Sequence, residues 1–127
     1  MPADVSVKIG YLVQDAVDSK RLARFWCELL GTQIDTEVGE GEFIVLATTA
    51  EGYSIVIQRV PELKSGKNRV HLDLIVEDLD AATELVTSLG GTWTEPGLTR
   101  EVDGYRWRVM ADPEGNEFDL QVQPPAH

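Results

Sequence analysis

An imidazole flanked by opposite charges is the most chemically suggestive group in this sequence. His71 stands in Arg69-Val70-His71-Leu72-Asp73-Leu74, where polar and apolar residues alternate. Strand side chains point to alternate faces, so Arg69, His71 and Asp73 share one face and Val70, Leu72 and Leu74 take the core face. A second alternating run, Glu117-Phe118-Asp119-Leu120-Gln121-Val122, puts Glu117, Asp119 and Gln121 on one face and Phe118, Leu120 and Val122 in the core. An imidazole beside a carboxylate titrates near neutrality and can serve as general acid or base. His71 and Asp119 are therefore the candidate catalytic pair. The bland alternative is a structural His71 bonded to Asp73 or Asp119.

The elements that must position these residues are written twice. With Tyr11 placed over His71, an offset of 60, Leu12 falls on Leu72, Asp18 on Asp78, Leu29 on Leu89, Gly31 on Gly91 and Thr32 on Thr92. Residues 5–14 read as a strand. Asp18 suits a helix N-cap, and Leu22, Phe25, Trp26, Leu29 and Leu30 recur at helical spacing until Gly31. Strands are expected at 33–38, 42–48 and 53–60. After a polar crossing segment at 61–68, a strand is expected at 69–76. Asp78 or Asp80 then caps a helix with Ala82, Leu85, Val86 and Leu89 on one stripe. Strands at 92–95, 105–111 and 116–122 complete the second copy, the last two joined by the turn Asp112-Pro113-Glu114-Gly115.

The fold class is thus α+β: one domain over 1–127, built of two βαβββ modules (about 5–60 and 69–123). Together they form a curved, incompletely closed eight-stranded sheet with the helices outside and a cleft within. In this reading Tyr11 occupies the place of His71, and Gln58 that of Asp119. The cleft positions are Tyr11, Gln58, Arg69, His71, Asp73, Glu117 and Asp119, with Trp93 and Trp107 as aromatic walls if their register faces them inward. Asp112 and Glu114 read as turn residues, Trp26 as core, and Arg100, Arg106 and Arg108 as solvated edge charge. Cys27 lies among apolar neighbours and reads as a small buried hydrophobe. No Ser or Cys has a nucleophile motif around it, and there is no Gly-rich phosphate loop.

Charge and composition narrow the partners. The 127 residues carry 11 Lys+Arg against 22 Asp+Glu, a net charge of −11. That disfavours nucleic acid and anionic membranes as partners. One cysteine precludes an internal disulfide. With no signal-like segment and no apolar run near the ~20 residues of a membrane span, the expected location is the cytoplasm.

Three segments together resemble the vicinal oxygen chelate superfamily, which includes glyoxalase I, bleomycin and fosfomycin resistance proteins and extradiol dioxygenases, and within it the glyoxalase-like domains common in actinobacteria. They are Asp18-Ser19-Lys20-Arg21-Leu22-Ala23-Arg24-Phe25-Trp26 with Leu29-Leu30-Gly31, then Gly66-Lys67-Asn68-Arg69-Val70-His71-Leu72-Asp73, then Ala111-Asp112-Pro113-Glu114-Gly115-Asn116-Glu117-Phe118. The resemblance implies a homodimer and a divalent-metal site at Tyr11, Gln58, His71 and Asp119. Only His71 and Asp119 are ordinary ligands: a phenol must lose a proton of pKa ~10 to bind well, and Gln58 offers a neutral carbonyl. No metal or other cofactor is therefore expected, and a divalent ion is the secondary alternative. The expectation is a small-molecule-binding protein that holds a polar aromatic ligand or natural product, without glyoxalase I activity. The alternative is a lyase or isomerase using His71 and Asp119 as acid and base or as a partial metal site.

Overall fold

The computed structural model describes Val5 and residues 8–125. Eleven elements follow in order: β1 (Leu12–Ala16), α1 (Ser19–Leu30), β2 (Ile34–Val38), β3 (Phe43–Leu46), β4 (Ile55–Arg59), β5 (Leu72–Ile75), α2 (Leu79–Ser88), β6 (Thr92–Trp93), β7 (Arg100–Val102), β8 (Tyr105–Ala111) and β9 (Glu117–Val122). The fold is α+β in two modules, as the repeat implies. The nine strands lie in two mixed sheets rather than in one sheet of eight. Module one gives β1-β4-β3-β2, and module two gives β5-β9-β8-β6 with β7 paired to β8. In each module the first strand runs parallel to the last: Leu12 faces Ile55, and Leu72 faces Phe118.

Both helices start where an aspartate meets free N–H groups. Asp18 Oδ1 accepts from the Arg21 N–H at 3.2 Å, and Asp78 Oδ1 from the Ala81 N–H at 3.0 Å. Gly31 ends α1 at φ 67°, a left-handed conformation that costs glycine little. Gly91 answers a close approach instead, since a Cβ there would stand 2.5 Å from Val86 Cγ1 and 2.9 Å from the Ala111 carbonyl oxygen.

Several boundaries differ from the sequence reading. The first strand begins at Leu12 rather than at residue 5, because its partner β4 begins at Ile55; Ser6 and Val7 lie outside the described residues. The fifth begins at Leu72, and Val70, read as core, is 83% exposed, because 69–71 precede the register with β9. The unforeseen β7 forms a hairpin with β8 through Asp103 (φ 51°) and Gly104 (φ 86°), a two-residue turn whose Asp-Gly signature was present in the sequence. On α2 the stripe is rotated, so Leu79, Thr83 and Val86 are buried while Leu85 is exposed.

One core joins the modules. Trp26 and Phe25 of α1 pack edge-on against Phe118 of β9, with ring centroids 5.1 and 6.2 Å away. The loop after β8 adds polar ties. Asp112 is buried; its Oδ2 accepts from Trp26 Nε1 at 3.2 Å, and its Oδ1 accepts from the backbone N–H groups of Glu114 and Asn116. Glu114 accepts from the Val17 and Asp18 N–H groups at 2.8 and 3.1 Å. These two residues were read as turn formers only; they also fasten module two to module one. Burial pushes the Asp112 carboxyl above its usual range against the pull of those donors. Arg108, read as edge charge, is a second correction. Its guanidinium donates to Leu79 O, Thr83 Oγ1, Asp80 Oδ1 and Thr99 Oγ1 and lies 4.4 Å from the Trp93 ring centroid, fixing the start of α2 to the sheet.

Candidate functional site

Parallel pairing of β5 and β9 builds the polar centre. Asp73 lies directly opposite Asp119, and His71, just before β5, reaches both carboxylates. Its Nε2 is 3.2 Å from Asp73 Oδ1 and 3.3 Å from Asp119 Oδ2. Gln121 Nε2 donates to Asp73 Oδ2 at 3.2 Å. Burial, then the Asp73 carboxyl beside it, pushes the Asp119 carboxyl up to about 6, with His71 and Lys67 pulling the other way.

β8 supplies a wall on the same face. Val109 pairs with Asp119 and Trp107 with Gln121, so all four share one face. A cavity of about 440 Å³ opens there, lined by Trp107, Val109, His71, Asp119, Lys67 and Arg100 among others. A second, of about 520 Å³, lies between β1 and the start of β5, with Val13, Gln14, Arg69, Leu72 and Phe118 on its walls. Asn68, His71 and Glu117 border both. The Glu117 carboxylate is already engaged, taking the Asn68 N–H at 2.7 Å and the Lys64 ammonium at 3.2 Å. Burial raises its pKa, but those donors outweigh it and hold the carboxyl below its usual value.

The structure thus brings His71, Asp73 and Asp119 into contact and sets Glu117 and Trp107 around the same cavity. Arg69 lines the other cavity. Trp93 packs on the core, its Nε1 buried and without a hydrogen-bond partner among the described residues. Tyr11 is 59% exposed, and neither it nor Gln58 lines either cavity. The equivalence of Gln58 with Asp119 is corrected by the register. Val13 pairs with Val56 as Asp73 pairs with Asp119, and Gln58 corresponds to Gln121. The last strands of the two copies are offset by 63 (Ile55 to Phe118), whereas matching Gln58 to Asp119 takes an offset of 61, so the sequence comparison was right about the face and two residues off along the strand, about 7 Å. Lys67, Asn68, Thr94, Glu95, Arg100 and Val109 line the cavity beside Trp107 and were not expected there. Asn68 and Lys67 lay in a segment read as a mere crossing, and Arg100 in a strand not foreseen.

The residues fit a four-ligand metal site poorly. His71, Asp73 and Asp119 offer donor atoms within 4.8 Å of one another and could hold an ion. All three come from module two, and the matching pair in module one is Val13 and Val56. The half of the quartet that module one should supply has no ordinary ligand.

Solved structures share this architecture. A glyoxalase/bleomycin resistance protein/dioxygenase family enzyme from Burkholderia phytofirmans PsJN superposes with a TM-score of 0.71 at 19% identity, over 88% of this chain and 95% of that one. The fosfomycin resistance protein FosX from Listeria monocytogenes gives 0.73 at 15% identity, over 97% and 96%. The oxidase ChaP-H2 gives 0.68 at 23%, over 94% and 96%. No curated protein is significantly similar in sequence. The fold is that of the vicinal oxygen chelate superfamily. Residues 11–121 match the glyoxalase-like domain, and the chain belongs to that family.

Proposed function

We propose that this protein binds a polar aromatic small molecule in the cavity beside His71, in the manner of a glyoxalase/bleomycin-resistance-type binding protein, and has no glyoxalase I activity. The observation that carries the reading is the pairing of a flat wall, Trp107 with Val109, and a polar floor, His71 with Asp119, around one cavity of about 440 Å³. Two valines at the module-one positions support the second half: isomerisation of a hemithioacetal needs a polarising metal and a carboxylate base, and module one supplies neither. No tightly held metal or other cofactor belongs to this reading. Native mass spectrometry of protein purified without a histidine tag, followed by a thermal-shift screen of aromatic compounds, tests it. A stabilising aromatic whose effect is lost in Trp107→Leu is expected. Stoichiometric Zn, Mn, Ni or Fe lost on His71→Ala, or robust turnover of the methylglyoxal-glutathione adduct, would overturn it.

The second reading, a lyase or isomerase, draws on one observation: His71 Nε2 lies 3.3 Å from Asp119, whose carboxyl is held up near 6, the disposition of an acid–base pair. We also read the chain as a cytoplasmic homodimer that uses no nucleic-acid or membrane partner. Support for the dimer comes from the outer edges of β1 and β5, where Val13 and Ile75 are 54% and 58% exposed beside Tyr11 and Val70. The net charge of −11 opposes association. Light scattering at micromolar concentration decides it, since a mass near the 14.1 kDa of one chain excludes the dimer. No described helix is long and apolar enough to cross a membrane.

A further inference from the structure

The floor of the cavity beside Trp107 holds more acceptors than donors. Asp119 lines that cavity with its side chain only 13% exposed. Among the described residues its one partner of donor type is His71 Nε2, at 3.3 Å. The same nitrogen stands 3.2 Å from Asp73 Oδ1. One N–H points squarely at one oxygen at a time, because a good hydrogen bond is close to linear. Asp73 has a second donor in Gln121 Nε2, and Asp119 has no such second donor. The other carboxylates of the cavity are supplied: Glu95 is held by Arg100, and Glu117 takes the Asn68 N–H and the Lys64 ammonium. Lys67, at the exposed rim, donates no hydrogen bond to Asp119 and acts on it only as a solvent-screened charge. Asp119 is thus the acceptor of this cavity that is left short. A molecule that takes the place of water at such a carboxylate without donating in its stead loses affinity.

We infer that the ligand presents an O–H or N–H donor beside its ring, the chemistry of an aromatic alcohol, phenol or amine, and that Asp119 accepts from it and so selects it. This rests on the aromatic-binding reading above and adds the group that the ring must carry and the residue that reads it. The ladder sets both contacts on one face. Val109 pairs with Asp119 and Trp107 with Gln121, which makes Trp107 and Asp119 diagonal neighbours. Such neighbours stand roughly 7–8 Å apart at the backbone, a spacing that a two-ring aromatic with a one-carbon arm spans.

The test titrates three probes built on the same ring by calorimetry at neutral pH: 1-naphthylmethanol, which donates; its methyl ether, which only accepts; and 1-naphthoate, which accepts and carries a negative charge. The parent should bind the alcohol tightest, ahead of the ether by roughly threefold to tenfold, the worth of one hydrogen bond, with the naphthoate weakest. Asp119→Leu, similar in size but without an acceptor, should close the gap between alcohol and ether. Asp119→Asn, which keeps an acceptor oxygen, should preserve it. Equal binding of alcohol and ether by the parent, or tighter binding of the naphthoate than of the alcohol, overturns the inference and leaves the aromatic-binding reading standing. A preference for the alcohol that survives Asp119→Leu overturns the assignment to Asp119. Failure of all three probes to bind at millimolar concentration sinks the inference and the reading beneath it together.

Discussion

The two modules share a backbone plan and differ in what they hang on it. In both, the first and last strands run parallel, an aspartate caps the helix, and a pair of residues faces the same side of the sheet at matching register. In module one that pair is Val13 and Val56, and in module two it is Asp73 and Asp119. Module one has spent its share of the duplicated site on apolar surface. It contributes instead through its helix, whose Phe25 and Trp26 complete the core over Phe118. A repeat therefore preserves geometry while the side chains divide the work: one half carries the polar centre and the other holds it in place.

The largest effect should come from breaking the seam between the halves. Trp26 is fully buried and bonded to Asp112 across the modules, so Trp26→Ala should cost about 3–5 kcal/mol. Chemical denaturation should then show a lower midpoint, with loss of a single cooperative transition if the seam is what makes the halves unfold together. A variant as stable as the parent would mean that the modules do not depend on each other.

A sharper comparison sets His71→Ala beside Tyr11→Ala, the two positions related by the offset of 60. The His71 side chain is 48% exposed, so its removal should leave the melting temperature nearly unchanged. It should weaken an aromatic ligand found by screening by ~1–3 kcal/mol, the cost of leaving a polar partner unpaired. Tyr11→Ala should alter neither quantity. A His71→Ala protein that melts far below the parent yet binds normally would make His71 a structural residue and dissolve the asymmetry.

The smallest effect is a pH dependence confined to module two. Asp119 is raised from 3.8 to about 6 in the folded protein, so it binds its proton more tightly folded than unfolded. Its unfavourable contribution is therefore absent below pH 3.8, grows as pH rises, and is complete above about 6. Asp119→Asn should match the parent's melting temperature near pH 4 and exceed it modestly at pH 7, modestly because the carboxyl keeps contact with water. An advantage that shrinks as pH rises would reverse the assigned sign. The matching substitution in module one, Val56→Asn, should introduce no pH dependence.

Much of this arrangement was legible in the residues. The offset of 60 announced two modules, the apolar stripe of residues 22–30 announced α1, and the alternation around His71 and Asp119 put both on one face. Those signals are local, and periodicity reports local geometry faithfully. Gln58 shows where local reading stops. Because side chains repeat every two residues along a strand, a slip of two leaves every face correct and changes only the partner across the ladder, which no single strand records. The roles of Asp112, Glu114 and Arg108 were hidden for a related reason. In sequence each is a charged residue in a turn or a strand, and the partners that tie it to another element, Val17, Trp26 and Thr83 among them, lie 25 to 97 residues away.

The sequence by itself determined the module, its duplication, the helix caps and the face on which His71 stands, because each depends on residues within a few positions of one another. Tertiary structure alone decided that the strands form two sheets, that Val56 rather than Gln58 answers Asp119, and that Trp107 and not Trp93 walls the cavity. Each of these follows from which backbone pairs with which and from where charges fall once distant segments meet. Electrostatic pairing and ladder register are properties of through-space distance, and the linear order of residues does not contain that distance until the chain has folded.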